Sequence, residues 1–410
     1  MKKCIAILMA LVMIAALAAC GGSSSGAASS GSADSAPAAE GSKTISIGVF
    51  EPTSGQNAAG GKKEILGIEY AHYLYPTVNI GGEDYNIELV YADNGSDAAK
   101  APSAAQLLIS NGVSAVVGTY GSSCAIAGGE YFAKASIPAV GTSCTNPQVT
   151  LGNDYYFRVC YIDPFQGAVM ASYALKSGCQ NLVVVVEAGD DYSAGFGNYF
   201  SEAIKQAGAS CDTITFQTGE TDFSTIMANI KSKGYDGIFA PVSIETAPLI
   251  INQAREAGVD CQIMAGDTWD DMSIASRAGA NANGVFFSCF FDQTDESNVA
   301  GAAFVKGFLE WVNADPTRIE NNGGKDNGGD VAISSVTPCG YDAYMAVYHA
   351  IAKAQSTDGQ AIRDALASLE VEGLVTGDVK FDENGDAIKN YVAIKTFQDG
   401  TIVFSDAYTG

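Results

Sequence analysis

Histidine is nearly missing from this chain: His72 and His349 are the only two in 410 residues. Both stand in apolar helical patterns (68–73 and 346–350), where a packed or helix-surface imidazole is the expected role. A Ser–His–Asp or Cys–His centre needs a histidine base, and a histidine-based metal site needs several. Basic residues are scarce too: 22 Lys and Arg face 46 Asp and Glu, for a net charge of −24. Removing Lys2 and Lys3 takes that to −26. Such a chain has no basic patch for a nucleic acid. Ten cysteines are present but none forms a C-x-x-C pair, which argues against a zinc ribbon or a thioredoxin-like motif. After residue 20 no apolar run reaches the ~20 residues that a membrane-crossing helix needs. The Gly- and Asn-rich stretch 321–330 lacks the Lys-Ser/Thr of a phosphate loop, so it reads as a surface loop. Asp382-Glu383-Asn384-Gly385-Asp386 imitates a calcium loop only faintly. Ala387 stands where a Gly is expected and Ala393 where an acid is expected, so a tight turn is the better reading. No cofactor and no metal are expected.

What is present begins with a leader. Lys2 and Lys3 precede an apolar run from Ile5 to Ala19, of signal-peptide rather than membrane-span length. The run ends Leu17-Ala18-Ala19-Cys20-Gly21. A small-residue cleavage site followed directly by Cys resembles the bacterial lipoprotein signal, and the resemblance makes Cys20 the lipidated N-terminus. Residues 21–43 are mostly Gly, Ser and Ala, a flexible tether with a reach on the order of 25 Å. The expected product is an extracytoplasmic protein anchored to the cell membrane but not threaded through it.

From Thr44 the composition is that of a globular chain, and its length suggests two domains. The remaining cysteines (Cys124, Cys144, Cys160, Cys179, Cys211, Cys261, Cys289 and Cys339) lie partly in apolar runs, where Cys acts as a small hydrophobe. Mostly free, buried thiols are expected, although an even number in an exported protein also allows disulfides. Strand and helix patterns alternate. Residues 45–50, 86–92, 115–118 and 137–140 read as strands with helices between them, and 155–159 as a further strand after the 142–147 loop. The order restarts at the apolar run 181–186 and continues through 210–216, 237–240, 262–265 and 285–289. This is an α/β protein with parallel sheets. After Gln293 come helical stretches at 299–312, 341–354 and 360–369, then short strands and hairpins.

The segment 115–147 organises the rest. It reads strand, hydroxyl-rich loop (Thr119 to Cys124), helix, strand, and a second hydroxyl loop, Thr142 to Pro147. In a parallel sheet both loops leave the carboxyl edge, where open α/β sheets bind ligands. Ser122 and Ser123, preceded by Tyr120 and Gly121, start the helix, where free N–H groups and the helix dipole favour an anion. Ser and Thr also serve as ordinary caps and turn residues. Two such loops on one edge point to a site for a small carboxylate.

With these stretches in view, the chain from Ile45 to about Phe404 resembles the substrate-binding proteins of branched-chain amino-acid ABC transporters, with the type I periplasmic-binding fold. The matching residues are Ser54-Gly55, Val117-Gly118 with Ser122-Ser123, Thr145-Asn146-Pro147, Phe157-Arg158, Gln166-Gly167, Asp191-Tyr192, Asp267, Gly340-Tyr341-Asp342 and Phe381 to Asp386. The resemblance implies two doubly wound parallel-sheet lobes joined by three crossovers, near 161–163, 291–293 and 389–391. Lobe one would be 44–161 with 293–388, and lobe two 164–290 with 391–410. It implies no enzymatic activity, an amino acid (branched-chain or otherwise apolar) in the cleft, permease subunits as partners, and a monomer.

By the same resemblance, Ser122 holds the ligand carboxylate, and Ser143 offers a backbone carbonyl to the ammonium. Thr145 contacts both ends, Tyr192 is the pocket aromatic and Asp267 is the acid facing the ammonium. The chemistry agrees, because a buried zwitterion needs donors at one end and an anion at the other. Two departures stand out. A lobe-one disulfide that some members carry would fall near Ser96 and Gly121, so that bridge is missing. The loop after Ser54-Gly55 has Ala58-Ala59-Gly60-Gly61 in place of a ring, which would leave room for a leucine-sized side chain beside Gly60 and Trp269. The competing readings are an amide or aromatic acid as ligand, a tethered sensory binding protein, and, more distantly, a hydrolase using Ser122 or Cys124.

Overall fold

The computed structural model describes residues 43–325, 329 and 331–409. The leader, Cys20 and the tether lie outside the described residues, as does most of the 321–330 loop beyond Lys325.

The first half of the chain runs β1 (Lys43–Glu51), α1 (Ala58–Leu74), β2 (Thr77–Ile80), β3 (Glu83–Asp93), α2 (Ala101–Ser110), β4 (Ala115–Val117), α3 (Ser122–Lys134), β5 (Ala139–Gly141) and β6 (Tyr156–Arg158). It continues with α4 (Asp163–Lys176), β7 (Asn181–Ala188), α5 (Asp191–Gln206), β8 (Ser210–Gln217), α6 (Ser224–Lys233), β9 (Gly237–Phe239), α7 (Ala247–Glu256), β10 (Gln262–Ala265), α8 (Met272–Ala278) and β11 (Phe286–Cys289). The last part holds α9 (Val299–Asn313), α10 (Pro316–Asn321), α11 (Val336–Ala354), α12 (Gly359–Leu366), β12 (Glu370–Val371), β13 (Val379–Lys380), β14 (Tyr391–Gln398) and β15 (Thr401–Thr409).

These strands make two large sheets. The first has the order β2-β3-β1-β4-β5-β6 and the second β15-β14-β11-β10-β9-β7-β8. The fold class is as expected: β1, β3, β4, β5 and β6 are parallel, as are β7 to β11. The edges depart from a purely parallel pattern. β2 is antiparallel to β3, β14 to β11, and β15 to β14. The tight β2–β3 turn at Gly81 and Gly82, both with positive φ, lets that hairpin form. The short helices α8 and α10 and the strand β2 were not evident in the sequence pattern, being too short for a period to show.

Helices cover both sheets, as parallel strands require. β7 is buried over Leu182–Val186, which is why it reads as a continuous apolar run. α11 packs along α1 and against the first sheet. The two helices meet backbone to backbone, since a Cβ at Gly67 would strike the Thr337 carbonyl and one at Gly340 the Glu64 carbonyl. That close approach fixes the part of α1 that faces the site. The described cysteines are all free, and all but Cys261 are buried, in line with their apolar surroundings. The 382–386 segment is a tight turn closed by Gly385 N–H on the Asp382 carbonyl. No helix among the described residues is long and apolar enough to cross a membrane.

Candidate functional site

Each sheet has one point where the strand order reverses. In the first sheet β1 lies between β3 and β4, and in the second β7 lies between β8 and β9. At such switch points the loops at the carboxyl ends diverge and leave a crevice. A cavity occupies it, lined by residues that follow β1 (Gln56, Asn57), β4 (Tyr120, Gly121, Ser122), β5 (Ser143), β9 (Ser243) and β10 (Asp267, Thr268). Glu187, Asp190 and Tyr192, at and after the end of β7, complete it. Both sheets therefore contribute to one cavity.

On the first-sheet side, α3 starts at Ser122 after Gly121, whose φ of 101° suits glycine. No side chain caps this helix, so its first N–H groups remain available to an anion. Ser122 Oγ accepts from Asn146 N–H at 3.1 Å, which ties the two hydroxyl loops together and leaves its own proton to donate. Ser143 Oγ donates to Glu64 and Thr142 Oγ1 to the other Glu64 oxygen at 2.6 Å. Glu51 takes the Tyr120 N–H at 2.8 Å. These two fully buried glutamates set the floor under both loops. Burial first, and then its neighbour Glu64, hold Glu51 well above the usual carboxylate range. Burial pushes Glu64 up to about 7.

On the second-sheet side, Asp267 sits 2% exposed just after β10. Tyr192 donates to its Oδ1 at 3.1 Å, while Oδ2 is buried and finds no hydrogen-bond partner among the described residues. Burial first, and then the nearby Asp163 carboxyl, push Asp267 up to about 7. Thr145 Oγ1 and one Asp163 oxygen are likewise buried without a partner among the described residues. Unsatisfied buried polar atoms are costly and concentrate where a ligand completes them.

The structure thus brings Tyr120, Gly121, Ser122, Ser143, Tyr192 and Asp267 to one cavity. Thr145 does not line the cavity; it is fully buried on the loop whose Asn146 N–H Ser122 holds. Ser123 does not line the cavity. Its Oγ accepts from Asp191 N–H at 2.8 Å, and Asn146 Nδ2 donates to the Asp191 carbonyl at 2.6 Å. Both contacts join first-sheet loops to the start of α5. The room expected beside Gly60 is occupied: the Tyr120 ring packs against Gly60 so closely that a Cβ there would overlap it. That ring comes from the loop that follows β4. Trp269 does not line the cavity either; it is fully buried and donates from Nε1 to the Val242 carbonyl at 3.1 Å. Gln56, Asn57, Glu187, Asp190, Ser243 and Thr268 were missed. Glu187, the single charge in an apolar strand, and Asp190, at the strand end, were the available signals.

The buried acids have a consequence for stability. Asp163 and Asp190 are pushed up to about 6, in each case mainly by burial, beside Glu64 and Asp267 at about 7. Unfolded carboxyls titrate near 4. The folded state therefore holds more protons between about pH 4 and 7, and its stability falls as pH rises through that window. Calorimetry of the ligand-free protein is expected to show a melting temperature several degrees lower at pH 8 than at pH 5. A melting temperature that rises over the same range would contradict the burial of these acids.

A cavity at the switch points of two α/β sheets, walled by both, is the site of a two-halved ligand-binding protein. The family model for periplasmic binding proteins matches residues 44–401, and the chain belongs to that family. The leucine-binding protein LivK of Thermotoga maritima superposes with a TM-score of 0.81 at 30% identity, over 89% of this chain and 99% of that one. The branched-chain amino-acid transporter substrate-binding protein LivJ of Streptococcus pneumoniae, in complex with isoleucine, gives 0.76 at 29% identity over 90% and 99%. A Leu/Ile/Val-binding protein homolog of Brucella melitensis is 26% identical over 365 residues, 88% of this chain and 93% of its own.

Proposed function

We propose that this protein is the extracytoplasmic substrate-binding component of an ABC importer, and that it takes a free apolar amino acid in the cavity for delivery to a permease. The carrying observation is Asp267: a buried carboxylate with one oxygen unpartnered, in the same cavity as the uncapped start of α3. An ammonium completes the acid, and a carboxylate completes the helix N-terminus with the Ser122 hydroxyl. Thr145, on the loop that Ser122 holds, serves both ends. A ligand with only a carboxylate, such as an aromatic acid, would leave Asp267 unpaired and add a like charge, which is costly in a dry site.

On this reading the halves act as lobes, 44–161 with 293–388 and 164–290 with 391–410. They close by hinge motion about the crossovers near 161–163, 291–293 and 389–391. The protein acts as a monomer. Titration calorimetry against the amino acids, acetamide and benzoate tests the assignment. By likeness to the leucine-binding protein and the isoleucine complex, and not from room beside Gly60, a branched-chain amino acid is expected to bind best, and at a hundred times its dissociation constant it should add roughly 2.7 kcal/mol of stability. Benzoate binding more tightly than every amino acid would overturn the reading.

Anchoring is proposed through Cys20, which follows the small-residue cleavage site. Cys20→Ala is expected to release the protein from membranes or leave its precursor uncleaved. Unchanged processing and fractionation would refute the lipid anchor.

A further inference from the structure

Lys63 and Asp271 form an ion pair with Nζ and Oδ2 2.6 Å apart, and each side chain is 3% exposed. The partners belong to different halves. Lys63 is on α1, which follows β1 of the first sheet, and Asp271 follows β10 of the second. A second bond crosses at the same place: Ser335 N–H, at the start of α11, donates to Asp270 Oδ2 at 2.7 Å. Asp270 also takes Lys395 of β14 at 3.2 Å. All of this falls on the turn 267–271, which carries Asp267 at its other end. α1 reaches the site at three successive levels. Gly60 receives the Tyr120 ring, Lys63 pairs with Asp271 and Glu64 holds Ser143.

We infer that the Lys63–Asp271 pair is an interlobe clasp, formed when the halves close and broken when they part, and that it sets how long the ligand stays bound. This rests on the proposed binding function. The ligand's ammonium does at Asp267 what the protein's own ammonium does at Asp271, so one short turn is gripped at both ends only in the closed state. In the parted state both side chains regain water, so neither charge is costly there. In the closed state each is dry and tolerable only because the other is present. Removing one partner therefore penalises closure specifically. Removing both relieves that penalty, since a dry pair can be replaced by neutral groups with little loss. Asp271 also caps α8 through Ser273 N–H at 2.8 Å. Asp271→Asn keeps that cap while deleting the charge.

The test uses the full-length protein with L-leucine as probe and four variants: Lys63→Met, Asp271→Asn, the double, and Lys63→Arg as the charge-keeping control. Stopped-flow release and titration are read alongside melting curves, which report whether each variant folds. Each single neutralising variant is expected to release L-leucine between roughly tenfold and a few hundredfold faster. The double is expected to recover at least half of that loss on a logarithmic scale, and Lys63→Arg to stay within about tenfold of wild type. Singles that melt lower but release at the wild-type rate would make the pair mere packing and overturn the clasp. So would a double variant whose loss is the sum of the two singles. If the wild type binds none of the amino acids, the functional reading fails, and small-angle scattering of the unliganded proteins still decides the clasp. Larger radii of gyration for the singles than for wild type and double support it, and equal radii overturn it.

Discussion

Asp267→Ala is expected to weaken amino-acid binding by roughly two to four orders of magnitude while leaving the unliganded protein as stable as wild type or more so. The first effect follows from stranding a buried ligand ammonium, which costs about 3–5 kcal/mol, at about 1.4 kcal/mol per tenfold. The second follows because, without a ligand, Asp267 is a desolvated acid with one oxygen unpartnered, next to the Asp163 carboxyl. A change that loses binding and keeps or gains stability is the signature of a group held for a ligand. The pH dependence provides an independent check. The acid must be ionised to receive an ammonium, and burial sets it at about 7. In the wild type the dissociation constant is expected to rise about tenfold per pH unit below that value. Asp267→Asn should remove most of this slope, since the amide does not titrate. Titration calorimetry between pH 5.5 and 8.5 measures both proteins. A variant that binds as tightly as wild type, or a wild type whose affinity is flat below pH 7, removes Asp267 from the ammonium site.

The carboxyl-edge loops were legible because two local signals coincide there. Glycine stops the strand at Gly118, Gly141, Gly189 and Gly266, and polar residues follow at once. Elements of three to eight residues with continuous apolar character declare a buried parallel strand, so the central strands of both sheets could be read from pattern, while the place of the antiparallel edge strands in them could not. The floor of the site could not. Glu51, Lys63 and Glu64 look like ordinary charges at a strand end and on a helix face, yet they are 1%, 3% and 0% exposed. Nothing local distinguishes a charged side chain that will meet solvent from one that will meet another half of the molecule. That is decided by α11 lying across α1 and by the turn 267–271 closing over it. The Gly60 gap failed for the same reason. A small residue marks space, but the occupant, Tyr120, comes from sixty residues along the chain. Ser123 illustrates the reverse case. Its position at the helix start was read correctly, and its hydroxyl is used across the cleft on Asp191 rather than on the cavity.

Arg158→Met is expected to cost ~3–5 kcal/mol of folding stability, where Asp267→Ala costs none. Arg158 ends β6, is fully buried, and spends its guanidinium on four partners. Nε donates to Asp386 Oδ1 at 2.6 Å, Nη1 to the Cys144 and Asn146 carbonyls at 2.8 and 2.6 Å, and Nη2 to Thr150 Oγ1 at 3.0 Å. The side chain therefore nails the loop that carries Ser143 and Thr145 onto the 382–386 turn. Methionine fills similar volume but takes the charged partner from Asp386, which keeps only the Thr150 hydroxyl at 2.8 Å, and leaves the buried Cys144 carbonyl without a donor, while Asn146 O keeps the Val149 N–H at 3.1 Å. Lysine keeps the charge but cannot fork to four acceptors in one plane, so Arg158→Lys should recover only part of the loss. Asp386 is slightly exposed at 12%, so Asp386→Asn should cost less than Arg158→Met. Because the loop would lose its tether, the Arg158 variants should weaken binding and stability together. Asp267→Ala, by contrast, weakens binding alone. Urea unfolding of the three Arg158 and Asp386 variants, with binding measured on the same samples, separates the cases. A midpoint for Arg158→Met close to wild type would show that the loop is held by something other than this guanidinium.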